Sequence, residues 1–199
     1  MTTRLANRLT QARRQRFVGR SAELELFRAA LSRDAPDFAP LHLHGPGGMG
    51  KTILLREFAH IATEAGRASV TLDGRHLNAS LPGFLTALQL ALDLPPETTP
   101  QAALANTPDL ILLLDTYELL STLDGWLREQ FLPDLPERTI VIIAGRQPLP
   151  AAWRTGGWAE LTRIISLRNL RPDESAAYLY GQGVPKDEVD HVLSMTATR

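Results

Sequence analysis

Hydrophobic and polar positions alternate in blocks along the chain, and the blocks predict strands separated by helices. Five short apolar runs have the length of strands, at residues 41–44, 68–72, 110–114, 139–144 and 163–167. The run at 110–114 has no polar alternation, as expected of a strand buried on both faces of a parallel sheet. Stretches with helical spacing lie at residues 21–31, 52–65, 82–92 and 117–132. This order predicts an α/β fold with three layers and a mostly parallel five-stranded sheet.

Local signals predict where several of these helices begin and end. Ser21 is placed to cap the first helix, and Gly66 is a natural C-terminus for the helix at 52–65. From Pro172 onward the pattern is purely helical, over 173–180 and 186–194. We expect this part to be the start of a helical lid domain in a chain that is a fragment of a longer protein.

A glycine-rich octet between the first strand and the following helix fits G-x-x-x-x-G-K-[ST] without a mismatch. Its members are Gly45, Pro46, Gly47, Gly48, Met49, Gly50, Lys51 and Thr52. The glycines let successive backbone N–H groups point at a phosphate chain, and the next helix presents its positive N-terminal end to it. Lys51 is expected to reach the β- and γ-phosphates, and the Thr52 hydroxyl to bind Mg²⁺. The octet therefore predicts a P-loop NTPase that binds Mg·ATP.

Three charged residues follow the later strands and are candidates for the rest of the site. Asp115 ends the apolar run at 110–114, at the sheet edge where ligands gather, and is the predicted Mg²⁺ ligand. Glu118 is the nearest candidate to polarise a water molecule, although an acid is also favoured in the first turn of any helix. Arg146 ends the fourth strand and could stabilise charge on the γ-phosphate, or it could be an ordinary surface arginine.

Composition and charge exclude several other classes of function. The formal net charge of −1 gives no general attraction to nucleic acid or to an anionic membrane, although residues 1–20 carry six arginines and no acid. We interpret that basic run as a solvated arm or helix. With no cysteine, disulfides and thiolate metal sites are impossible. His42 and His44 share one strand face and are interpreted as core histidines satisfied by their neighbours, and the three tryptophans as packing residues. Without a membrane span or signal peptide, we expect a cytoplasmic protein.

Taken together, these motifs resemble the STAND class of P-loop ATPases, the signal-transduction ATPases with numerous domains. The resemblance rests on the segment Phe17-Val18-Gly19-Arg20-Ser21-Ala22-Glu23-Leu24, the octet, residues 114–118, Gly145-Arg146 and residues 167–174. The spacing is similar to that of the ATPase modules of bacterial regulators of the maltose-activator type. The resemblance implies that Val18, Gly19 and Arg20 lie at the base or ribose, and that ADP and ATP favour closed and open forms.

The sequence departs from the STAND pattern in two places. A second acidic residue often follows the Walker-B aspartate, but Thr116 stands there, which leaves the catalytic base open. The Gly-x-Pro element of the lid is absent, because the chain ends first.

We predict a basic arm over residues 1–16, the NTPase domain over 17–170 and the truncated lid over 171–199.

These features predict an ATP-binding regulatory module that hydrolyses ATP slowly as a signalling or assembly switch. Its predicted catalytic residues are Lys51, Glu118 and Arg146. The alternatives are a nucleotide-dependent scaffold or oligomerisation module without significant hydrolysis and, less favoured, a P-loop kinase. An Asn-Lys-x-Asp motif that would read guanine is absent from the sequence. The predicted partners are ATP or ADP with Mg²⁺ and, beyond the nucleotide, either nucleotide-dependent self-association or an effector domain outside the fragment. We expect neither membrane binding nor direct nucleic-acid binding by these residues.

Overall fold

The computed structural model describes residues 17–33 and 35–196, together with Leu5 and Arg8. The predicted basic arm over residues 1–16 therefore lies almost entirely outside the described residues. The chain folds as two compact units. The larger unit, residues 24–168, contains the sheet, and the smaller unit contains the described parts of residues 1–23 and 169–199. The predicted domain boundaries remain predictions.

Five parallel strands form one sheet in the order β2-β3-β4-β1-β5. The strands are β1 (Leu41–His44), β2 (Ser69–Asp73), β3 (Ile111–Asp115), β4 (Ile140–Gly145) and β5 (Arg163–Ser166). Every residue of β3 and β4 is buried, because both faces of these inner strands are covered. The edge strand β5 is largely exposed. The predicted P-loop NTPase fold with its mostly parallel five-stranded sheet is confirmed.

Seven helices accompany the strands in the described part of the chain, apart from irregular helical segments after β3 and β4. They are α1 (Ser21–Leu31), α2 (Lys51–Glu64), α3 (Leu81–Ala91), α4 (Pro100–Ala105), α5 (Gly157–Leu161), α6 (Pro172–Gly181) and α7 (Lys186–Thr196). Within the larger unit, α2 packs on β2, β3 and β4, and α3 packs on β2. In the smaller unit, α6 packs on α7. None of the described helices is both long and apolar enough to cross a membrane.

The two faces of the sheet are closed by different sets of apolar side chains. On one face, Phe58 of α2 contacts Phe27 of α1, with ring centroids 4.4 Å apart. On the other face, Phe84 of α3 packs edge-on against Phe131 and Trp126. This packing fixes the carboxyl ends of β1, β3 and β4, from which the candidate site is built.

The segment after β3 differs from the single helix predicted over residues 117–132. It consists of a 3₁₀ helix at Tyr117–Leu123, one α-turn at Asp124–Trp126 and a π-helix at Leu127–Phe131. Gly125 weakens a regular helix at its centre. The buried Asp124 carboxylate also accepts hydrogen bonds from the Tyr117 hydroxyl and the Trp153 indole, both at 2.8 Å. Tertiary contacts therefore set the backbone geometry here more than helix propensity does.

Two further differences between the prediction and the structure concern where helices begin. Ser21 is the first residue of α1 and does not precede it, and Arg20 before it takes the left-handed conformation with φ of 62°. The sequence interpretation also missed the short helix α4, although Thr99 caps it and Pro100 opens it, a common pairing of residues at a helix start.

Candidate functional site

The glycine-rich octet links β1 directly to α2, as the sequence predicted. Gly50 precedes the helix in the left-handed conformation, with φ of 83° and ψ of 13°, which a residue with a Cβ adopts at a cost. Lys51 is the first helical residue, so the backbone amides of the first turn and the positive end of α2 face the loop. This arrangement has the geometry of an anion-binding site.

The Lys51 side chain lies over the loop, and the residue as a whole is 9% exposed. Its Nζ donates hydrogen bonds to the carbonyl oxygens of Gly45 at 2.5 Å and Pro46 at 2.8 Å. Burial lowers the pKa of Lys51 below its ordinary value, while the nearby charges of Glu118 and Asp115 act in the opposite direction. The lysine is thus in place to exchange loop carbonyls for the oxygens of a phosphate group.

The two predicted Mg²⁺ ligands lie side by side. The Thr52 hydroxyl donates a hydrogen bond of 2.7 Å to Asp115 Oδ2, and Asp115 Oδ1 accepts the Thr116 backbone N–H at 2.8 Å. Adjacent ligands of an octahedral Mg²⁺ at about 2.1 Å stand about 3 Å apart, so this pair of oxygens fits the ion with little movement. A hydroxyl and a carboxylate are also the hard oxygen donors that Mg²⁺ prefers.

Glu118 and Arg146 meet at the ends of β3 and β4. Glu118 Oε2 accepts the Arg146 backbone N–H at 3.1 Å, and Oε1 lies 3.4 Å from Arg146 Nε. The Arg146 side chain is 70% exposed, whereas that of Glu118 is 22% exposed. The structure therefore brings together the two residues predicted to position water and to contact the γ-phosphate. It also shows that the glutamate already has partners at the sheet edge.

Two charged residues at the end of β2, Asp73 and Arg75, were missed as part of the site. Asp73 stands opposite Asp115 in the parallel register, and its carboxylate accepts hydrogen bonds from Arg75 Nε at 3.0 Å and Nη2 at 2.6 Å. These bonds, with a smaller contribution from the Thr116 side chain, lower the pKa of Asp73 to about 2. The pKa of Arg75 is raised by Asp73 first and also by Asp115 and Glu118. The position of Asp73 at the end of an apolar strand was a signal in the sequence that could have identified it.

His42 and His44 share one face of β1, as predicted, and their rings stack at a centroid distance of 5.3 Å. His42 is buried, and burial, followed by the charges of His44 and Arg154, lowers its pKa to about 3. Its Nδ1 has no hydrogen-bond partner in the described part of the chain, so the expectation that neighbours satisfy it is wrong for that atom. Over the same residues, no three His, Asp or Glu side chains cluster in a way that could hold a metal ion.

Val18, Gly19 and Arg20 belong to the smaller unit and are described within it. Gly19 and Arg20 are consecutive left-handed residues, with φ of 77° and 62°. The Arg20 backbone N–H donates to Glu174 Oε1 at 3.2 Å. The assignment of these three residues to a base or ribose remains a prediction.

Comparisons with known proteins give a family for the chain and structures with a similar fold. Residues 16–179 match the family described as the AAA ATPase domain. Among solved structures, Cdc6p from Pyrobaculum aerophilum superposes with a TM-score of 0.58 at 17% identity, over 91% of this chain and 50% of that one. A DNA replication initiation factor superposes with a TM-score of 0.59 at 18% identity, over 89% of this chain and 57% of that one.

These identities show similarity of fold alone, and the chain spans about half the length of either structure. No curated protein matches the sequence. The family match covers most of the chain and includes the octet, Asp115, Glu118 and Arg146. The chain belongs to the AAA ATPase domain family.

Proposed function

We propose that this chain is a regulatory ATPase module of the STAND class, which binds Mg·ATP and hydrolyses it slowly as a switch. The observation that carries the proposal is the 2.7 Å contact between Thr52 and Asp115, next to a lysine that lies over a P-loop. Together these residues offer donors for phosphate and oxygen ligands for Mg²⁺ at one sheet edge. The STAND assignment is supported by the segments at 17–24 and 167–174.

In this proposal the chain's residues act mainly by position and charge, as phosphoryl transfer generally requires. Lys51 and the loop amides bind the β- and γ-phosphates, while Thr52 and Asp115 hold Mg²⁺, which would neutralise phosphate charge when bound. Glu118 orients the attacking water, and Arg146 contacts the γ-phosphate. Val18, Gly19 and Arg20 hold the base or ribose. Self-association or an effector domain outside this chain would convert the nucleotide state into an output.

Calorimetric titration of ATP, ADP and GTP with Mg²⁺ tests the binding part of the proposal. We expect both adenine nucleotides to bind wild type, and Lys51→Ala to abolish binding, because the ammonium supplies the charge that faces the phosphates. Lys186→Ala is the matched control, since Lys186 is the other lysine of the chain and is exposed. Equal binding by wild type and Lys51→Ala would contradict the proposal.

A nucleotide-binding module without significant hydrolysis is the second candidate. Two observations favour it. The Glu118 carboxylate already accepts a hydrogen bond from the Arg146 backbone N–H, and Thr116 occupies the position directly after Asp115, where the STAND pattern often has a second acid. Glu118→Gln discriminates between the two candidates, because an amide is a far weaker base than a carboxylate. A large fall in phosphate release with unchanged ATP affinity supports the ATPase. ATP turnover that is equally low in wild type and in Glu118→Gln supports the binding module.

A further inference from the structure

Thr116, directly after the predicted Mg²⁺ ligand Asp115, has a backbone conformation that needs support. It lies in the left-handed region, with φ of 53° and ψ of 46°. A β-branched residue is strained there, and such strain persists only where the surroundings hold it. The Thr116 backbone N–H donates to Asp115 Oδ1 at 2.8 Å, while Oδ2 accepts the Thr52 hydroxyl at 2.7 Å. The orientation of the carboxylate therefore depends on how the Thr116 peptide is held.

The Thr116 carbonyl oxygen has two close neighbours. It accepts the Leu119 backbone N–H at 3.0 Å. The second neighbour is Gly74, in the turn after β2, whose backbone N–H donates to the Asp115 carbonyl oxygen at 3.0 Å. A Cβ added at Gly74 would stand 2.7 Å from the Thr116 carbonyl oxygen and 3.1 Å from Leu119 Cβ. Atoms that are not bonded do not pack at such a distance, so a side chain at position 74 would displace the Thr116 carbonyl.

The turn that carries Gly74 is held by its own hydrogen bonds. The Asp73 carbonyl oxygen accepts the His76 backbone N–H at 2.9 Å, and Asp73 Oδ1 accepts the Arg75 backbone N–H at 3.0 Å. The Arg75 guanidinium also binds the Asp73 carboxylate, through Nε at 3.0 Å and Nη2 at 2.6 Å. A contact at two points fixes the orientation of both groups. The turn at residues 73–76 is therefore a firm support for the peptide that packs against it.

We infer that the turn at residues 73–76 is a positioning element for the Mg²⁺ ligand Asp115. It acts through Thr116, because Gly74 leaves the space in which the Thr116 peptide takes its left-handed conformation. That peptide in turn orients the Asp115 carboxylate toward Thr52. The inference rests on the proposed function, which assigns Asp115 and Thr52 to Mg²⁺. Groups that orient a metal-binding side chain change metal affinity by about 10–100-fold when they are altered.

The test measures ATP affinity by calorimetry with Mg²⁺ and again with EDTA, and the quantity compared is the gain in affinity that Mg²⁺ gives. The first variant is Gly74→Ala, which adds the Cβ that meets the Thr116 carbonyl oxygen. Gly157→Ala is the matched control, because it makes the same change at a helix start where no heavy atom from elsewhere in the described chain lies within 4 Å. The second variant is Arg75→Lys, which keeps the positive charge but cannot form the two-point contact with Asp73.

We expect Gly74→Ala to lower the Mg²⁺ gain about tenfold and to leave ATP affinity in EDTA unchanged, since the P-loop is untouched. Arg75→Lys should lower the gain about threefold, the effect of weakening one partly exposed ion pair. Gly157→Ala should keep the wild-type gain. In protein without nucleotide, hydrogen exchange at the Thr116 amide should be faster in Gly74→Ala than in wild type or in Gly157→Ala.

Other outcomes overturn the inference. An unchanged Mg²⁺ gain in Gly74→Ala removes the positioning role, and an equal loss of ATP affinity with Mg²⁺ and with EDTA shows only general destabilisation. If Gly74→Ala does not fold, Arg75→Lys decides, and a wild-type gain there overturns the inference. Wild type that binds ATP no more tightly with Mg²⁺ than with EDTA contradicts the proposed function itself. A full gain in wild type keeps that function in place even where the turn proves to play no part.

Discussion

The hydrogen bonds to Asp124 allow a stability prediction that is independent of the nucleotide. Asp124 Oδ1 accepts bonds of 2.8 Å from the Tyr117 hydroxyl and from the Trp153 indole N–H. Both donors are buried, with Tyr117 5% and Trp153 0% exposed. The perturbation is Asp124→Ala, which removes the shared acceptor and leaves both donors without a partner.

The expected magnitude follows from these two bonds. A buried donor left without a partner costs about 1–3 kcal/mol, so two donors cost about 2–6 kcal/mol. Relief of the desolvation of the carboxylate itself offsets part of this loss. We therefore expect Asp124→Ala to lower the free energy of unfolding by about 2–4 kcal/mol. For a chain of this size that corresponds to a fall in Tm of roughly 5–15 °C.

Thermal and urea unfolding followed by tryptophan fluorescence measure this change. Asp124→Asn keeps a carbonyl oxygen as acceptor, so it should lose only about 1 kcal/mol. Asp134→Ala, which removes an exposed aspartate, is the matched control and should behave as wild type. The reasoning is refuted if Asp124→Ala is within about 0.5 kcal/mol of wild type, because surface substitutions commonly produce changes of that size.

Three further predictions concern single residues of the site and its supports. The folded-state pKa of His42 is about 3 against 6.5 unfolded, so stability should fall as the pH drops from 6.5 toward 3, by up to about 1.4 kcal/mol per pH unit. Urea unfolding measured at several pH values from 7 to 4 gives the free energy of unfolding as a function of pH. This pH dependence should be weaker in His42→Phe than in wild type, and an equal pH dependence contradicts the lowered pKa of His42. Thr116→Asn should raise the free energy of unfolding by about 1 kcal/mol, because Thr116 has φ of 53° and asparagine tolerates the left-handed region better than threonine. A Tm below that of wild type would contradict backbone strain at Thr116. Arg146→Ala should lower phosphate release about 100-fold and leave ATP affinity nearly unchanged, whereas equal turnover rules out a role at the γ-phosphate.

The octet and the strands could be predicted from the sequence because their signals are local. The P-loop consists of eight consecutive residues, and its glycines allow the backbone conformation that the loop requires. Each strand is a short apolar run, and the observed boundaries differ from the predicted ones by a single residue at most. Asp115 could be found for the same reason, since it directly follows the most apolar run.

The contacts that complete the site could not be predicted, because they join distant parts of the chain. Asp73 faces Asp115 only through the parallel register of β2 and β3, which the apolar pattern does not specify. Asp124 gains its partners from Tyr117 and from Trp153, which follows the next strand. Helical spacing at 117–132 was visible, but these contacts replace a regular α-helix with 3₁₀ and π turns.

The most direct test of the central claim is the Mg²⁺ dependence of ATP affinity in wild type and Asp115→Asn. Thr52 Oγ1 and Asp115 Oδ2 lie 2.7 Å apart and are the predicted ligand atoms of the ion. Wild type should therefore bind ATP more tightly with Mg²⁺ than with EDTA. In Asp115→Asn that gain should fall by about 10–100-fold, while affinity in EDTA stays equal or rises because a negative charge near the phosphates is removed. A variant that keeps the full Mg²⁺ gain would contradict the account.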